Sequence, residues 1–138
     1  FIASTIGQFL QGTLPLRLRL PLGCVSLMLG VIPIALGIYT QSLALFITGA
    51  VIAGMGQGIS FRAGMGAIAL ASPAAEKAAV TSAFFVVAYI AISVPVIGLG
   101  VMATVTSLTT TGISFAAFMG SLAALALVLL IRRERVEA

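Results

Sequence analysis

The side chains able to make or break bonds are few. The chain of 138 residues has no histidine, one cysteine (Cys24) and three acids, Glu76, Glu134 and Glu137. A serine–histidine–acid set needs a histidine, and a metal centre needs several clustered nitrogen, sulfur or carboxylate ligands. Neither can be assembled, so no catalytic residue, cofactor or metal is expected. Glycines are frequent, but no strand precedes them, so a phosphate-binding loop is not supported. Cys24 lies in an apolar run without a disulfide partner and reads as ordinary membrane core. What remains is binding chemistry, from polar groups placed inside apolar stretches.

Arg62 is the one charge inside such a stretch. Its guanidinium stays charged and can hold an anionic group through a fork of hydrogen bonds. Counted from Leu43 along a helix it lies about 28 Å in, near a membrane edge; with the helix centred it lies about 7 Å from the midplane. It is expected to face a cavity or a partner, with snorkelling to headgroups as the alternative. Gln57 and Ser60 share a helix face, whereas Gln57 and Arg62 are about 140° apart around the axis. Ser82, Tyr89 and Ser93 share a face on a later helix by steps of seven and four, which suits interhelical hydrogen bonding as well as solute contact. Arg62, Gln57, Ser60, Tyr89 and Ser93 are therefore the candidate pathway residues.

The elements that position them follow from composition. Hydrophobic residues make up 61% of the chain and charged residues 7%, against about 25% charged in soluble domains. The charge-free runs from Leu20 to Phe61 and from Ala78 to Ile131 are each long enough for two crossings, at roughly 20 residues for about 30 Å of hydrocarbon. The expected fold is all-α and integral to the membrane, with four complete spans at about 22–38, 43–71, 78–103 and 112–131. Residues 1–12 read as the end of a preceding helix, 14–21 as a proline-punctuated basic loop and 132–138 as a tail. Pro33 and Pro95 each remove a backbone hydrogen bond and are expected to kink their spans. Ser72-Pro73 reads as an N-cap and first helical position, with Glu76 in the first turn.

Alternate turns differ in charge. Arg17, Arg19, Lys77, Arg132, Arg133 and Arg135 fall on one side, whereas 39–42 and 104–111 carry no lysine or arginine. By the positive-inside tendency the basic side, including the C-terminus, is cytoplasmic and the membrane is the inner or plasma membrane. The net charge of +4 forms no basic face with interleaved aromatics, so nucleic acid is not an expected partner. Ala50, Gly54, Gly58, Arg62 and Gly66 recur every fourth residue, a row of small residues apart from Arg62, and Gly112, Ala116, Gly120 and Ala124 make a similar row. Such rows let helix backbones approach closely in lipid. Gly54, Gly58, Gly66, Gly112 and Gly120 are accordingly the expected packing residues.

The stretches Gly49-Ala50-Val51-Ile52-Ala53-Gly54-Met55-Gly56-Gln57-Gly58, Ser72-Pro73-Ala74-Ala75-Glu76-Lys77-Ala78 and Ser82-Ala83-Phe84-Phe85-Val86-Val87-Ala88-Tyr89 resemble the carboxy-terminal half of the major facilitator superfamily. The chain looks like the end of helix eight through helix twelve of a twelve-helix transporter. Between Gly12 and Pro21 it keeps Arg17 and Arg19 but no acid, a departure from the family's loop. The resemblance implies a half of a facilitator-type fold, alternating access of a small solute, and an upstream half of the same polypeptide as partner, all within the bilayer. It also implies that the second span, with Gln57, Ser60 and Arg62, borders the central cavity. Two other readings remain open: a small four-helix multidrug-type transporter acting as a dimer, which would ordinarily carry a membrane-embedded glutamate, and a non-transporting membrane subunit.

Overall fold

A computed structural model describes residues 1–137, with side chains described from Phe1 to Arg132. The helices are α1 (Ile2–Leu10), followed by a 3₁₀ turn (Gln11–Thr13), then α2 (Leu16–Tyr39), α3 (Leu43–Ala71), α4 (Lys77–Val105) and α5 (Leu108–Glu137). No strand occurs among the described residues. The last four helices each contain a window long and apolar enough to cross a membrane. The chain is an all-helical, multi-pass membrane protein.

Several helix ends differ from the sequence expectation, for local reasons. The basic segment 14–21 is mostly helix: Pro15 is the N-cap of α2, and Arg17 and Arg19 lie in its opening turns. Arg19 Nε donates to Leu14 O at 3.0 Å, tying the approach segment to the helix. Pro21 and Pro33 are both accommodated within α2, and Pro95 within α4. Ser72 ends α3 rather than starting α4, because its hydroxyl donates back to Ile68 O at 2.7 Å. Pro73 to Glu76 form a turn, so Glu76 is the N-cap residue of α4 and not part of its first turn. The expected loop 104–111 shrinks to Thr106-Ser107. There Thr106 and Thr111 share a hydrogen bond of 2.8 Å, and Ser107 Oγ accepts from Thr110 N at 3.1 Å. Hydroxyls that read as loop in sequence instead satisfy helix ends. The tail expected from residue 132 is a continuation of α5 to Glu137; the side chains beyond Arg132 lie outside the described residues.

The best-packed pair is α2 against α3, joined as an antiparallel hairpin. At its turn Ser42 N donates to Gly37 O at 2.9 Å while Gln41 takes φ 57°. That is the bond and the left-handed residue with which helices commonly end. Ser42 Oγ then accepts from Leu45 N at 3.5 Å to open α3.

From this turn the two helices stay close because glycines face each other at seven-residue steps. Gly23, Gly30 and Gly37 are buried on α2, and Gly49 and Gly56 on α3, followed by the buried Ala63. A Cβ on Gly30 would meet the backbone of Ala53, 2.7 Å from its Cα. A Cβ on Gly56 would lie 2.7 Å from Gly23 O. Ser26 Oγ crosses the seam to Ile52 O at 2.8 Å.

α5 packs on α2, with Gly112 opposite Ile38 and Gly120 opposite Val31. α1 packs on α3, where Gly7 meets the Met55 backbone and Gly58 meets that of Ser4. α4 buries none of its residues. It reaches α3 through aromatic rings and α5 through Pro95, Leu99 and Met102, which face Thr111, Phe115 and Phe118 across a small pocket.

Candidate solute-facing surface

Gln57 stands at the middle of α3, fourteen residues from Leu43 and fourteen from Ala71. Its side chain is exposed, and Ser4 Oγ of α1 donates to its Oε1 at 2.6 Å. The amide nitrogen has no hydrogen bond among the described residues. A free amide donor at mid-span is costly against lipid, where nothing can accept from it.

Four residues along the same face is Phe61, which meets two rings of α4: Phe84 at 5.6 Å and Phe85 at 6.2 Å between centroids. Phe84 and Phe85 are edge to face at 6.0 Å, and Phe85 is followed by Tyr89 at 6.5 Å. α3 and α4 run in opposite directions through this cluster. Gln57 and Tyr89 each stand one helical turn beyond a clustered ring, both toward the end that bears the uncharged turns. An amide and a phenol thus lie at one level, with an aromatic floor between the helices. Tyr89 is 68% exposed, and Ser93, one turn further along α4, is also exposed. This surface offers hydrogen bonds from Gln57, Tyr89 and Ser93, and ring faces that attract aromatic or cationic groups.

The other two sequence candidates lie elsewhere. Ser60 does not join Gln57, because it points into the seam against Gly23, and its hydroxyl is buried without a hydrogen-bond partner. It also lines a cavity of about 1020 Å³ bordered by α2, α3 and α5. Arg62 is exposed on α3 and has neither an ion pair nor a hydrogen bond among the described residues. Of the expected packing glycines, Gly54 and Gly58 meet α1 and Gly112 and Gly120 meet α2, while Gly66 borders open space.

Sequence reasoning missed Ser4 and the rings of Phe61, Phe84 and Phe85 as parts of this surface. The usable signal was spacing: Phe61 follows Gln57 by four, and Phe85 precedes Tyr89 by four. It also missed the α2–α3 seam, whose seven-residue glycine steps were present on both helices.

The two uncharged turns come together at one end of the bundle. Gly37, Gln41 and Ser42 line a small pocket there with Leu108 and Thr109. The spans therefore alternate in direction, and the basic turns collect at the opposite end.

The chain matches no protein-family model, no curated protein and no solved structure. Its functional reading rests on the geometry above.

Proposed function

We propose that the chain is part of a secondary transporter of facilitator type, which moves a small solute by alternating access. In this reading the Ser4–Gln57–Phe61–Phe85–Tyr89 surface borders the solute pathway. The observation that carries it is the exposed, half-satisfied amide at the centre of α3, beside an aromatic floor. A polar group at that depth is normally turned to a water-filled cavity or to another protein surface. Facilitator-type transporters place solute sites near the midplane, where two helical bundles meet.

The sparse packing of α4 supports the same reading, since a helix at the boundary between bundles keeps one side for the moving partner. That partner would be an upstream bundle of the same polypeptide. The glutamate that a compact multidrug dimer would need within a span is missing: Glu76, Glu134 and Glu137 all stand near the basic end. With that end cytoplasmic, the protein sits in the inner or plasma membrane and the C-terminus faces the cytoplasm. Arg62, on a separate face about 140° from Gln57, would act on an anionic group outside this surface.

Single cysteines in a Cys24→Ala background test the reading without knowledge of the solute. In native membranes Gln57→Cys should react with a membrane-impermeant, water-soluble thiol reagent. Val94→Cys, on an exposed apolar side of α4, should react at least roughly tenfold more slowly, because the thiolate that reacts forms only where water reaches it. Equal inertness at both positions would place Gln57 against lipid or protein and remove the pathway.

A further inference from the structure

The cavity between α2, α3 and α5 is separate from the Gln57 surface and has a different chemistry. Leu20, Cys24, Leu27, Val31, Ile34 and Ile38 give it one continuous face of α2. From Leu20 to Ile38 this face runs about 27 Å, close to the thickness of the hydrocarbon core. α5 supplies the facing wall from Gly112 to Leu130, and α4 adds Leu99. Among the described residues only Ser60, Cys24 and the Met119 thioether bring atoms other than carbon from their side chains, so the space suits a long apolar chain rather than a hydrated solute.

The basic end of this cavity is charged. Arg17 precedes Leu20 by three residues and so continues the lining face by one turn of α2. The antiparallel register set by Ile38 with Gly112 and Val31 with Gly120, carried along both helices, brings Arg17 level with positions 133–134, within about one helical turn of Arg132. Both arginines are exposed, and neither is hydrogen-bonded among the described residues. Beyond Arg132 the sequence continues Arg133-Glu134-Arg135, which keeps that end net positive. Glu76, the acid among the described side chains, belongs to the α3–α4 turn instead.

We propose that this cavity is a binding site for an anionic phospholipid, with an acyl chain along α2 and α5 and its headgroup phosphate between Arg17 and Arg132. Two arginines at the same end of adjacent helices call for an anion, and the arginine fork suits phosphate. The apolar space directly beneath them takes the tail, the combination by which basic pockets between spans hold anionic lipids. A second copy of the chain fits less well, since in a shared membrane its own basic end would lie at the same level and repel these arginines. The inference does not depend on transport.

Native mass spectrometry of the chain, extracted from vesicles of equal phosphatidylglycerol and phosphatidylcholine, tests it. The chain should retain phosphatidylglycerol preferentially, and Arg17→Gln and Arg132→Gln should each lower that preference roughly fivefold. Lys77→Gln, at the same end but off the cavity, should leave it unchanged. Ala123→Phe, which fills the space, should reduce retention of either lipid. Because that variant can fail to fold, tail length is also varied on the unaltered chain. Phosphatidylglycerol with six-carbon tails should compete at least roughly tenfold less well than the sixteen-carbon form. Equal retention of the two headgroups, or equal competition by the two tails, would overturn the proposal. So would a lipid-free dimer, which would assign the cavity to a second copy.

Discussion

α3 and α4 have the same length, 29 residues each, yet they relate to the bundle in opposite ways. α3 buries three glycines, Ile59 and Ala63, and touches α1, α2 and α4. α4 buries nothing, although it is the more apolar of the two spans. In water the more apolar helix would be the inner one. In lipid the hydrocarbon serves an apolar side chain as well as a protein interior does, so apolarity does not draw a helix inward. Small residues decide instead, because they let backbones approach closely enough for many dispersion contacts. α3 presents glycine on two faces. The glycines of α4, Gly98 and Gly100, have nothing within reach.

The sharpest way to break this contrast is to make one substitution in both environments. Gly30→Leu should destabilise the bundle by about 3 kcal/mol or more, since its Cβ would meet the Ala53 backbone, which cannot rotate away as a side chain can. Gly98→Leu should stay within about 0.5 kcal/mol. Unfolding in mixed micelles, followed by loss of helical circular dichroism, measures both. Similar costs would show that the seam is not what holds the bundle together.

A smaller effect probes what fixes α4 to α3. Phe84 contacts Phe61 and Phe85 and is the ring nearest Gly64. Phe84→Ala should cost about 1–2 kcal/mol, on the scale of two aromatic pairs. It should also lower the yield of a disulfide engineered between α3 and α4, while one between α2 and α3 forms as before. An equal fall in both yields would mean that α4 contributes to the seam after all.

The smallest effect refines the account of the seam itself. Ser26→Ala removes the one side-chain hydrogen bond across it, to Ile52 O. Interhelical hydrogen bonds in membranes average about 0.6 kcal/mol, so the loss should be of that order and well below that of Gly30→Leu. A larger loss than for Gly30→Leu would make the seam polar rather than steric in origin.

The candidate surface was legible in part. Gln57 and Tyr89 stood out because polar groups in apolar runs are visible in one dimension. Ser60 was misplaced beside Gln57 because the two share a helix face only loosely. They are three residues apart, about 60° around the axis, and in the bundle that angle separates a residue turned to α1 from one turned to α2. The helix starts at 16 and 108 and the role of Ser72 were misjudged, because proline and hydroxyl residues served as caps or back-bonds instead of loop.

The sequence alone determined that the chain is helical and that it has four stretches long and apolar enough to cross a membrane. Both follow from the length of apolar runs and from the need of every backbone amide in lipid for an internal partner. The sequence also set the alternation of basic and uncharged turns. Only the tertiary structure decided which of several small-residue rows on α3 meets which neighbour, and that α4 stands at the margin. The physical reason is that lipid and protein interior are nearly equivalent for an apolar side chain. Hydropathy therefore marks where a helix lies, but carries no signal for the direction in which it faces.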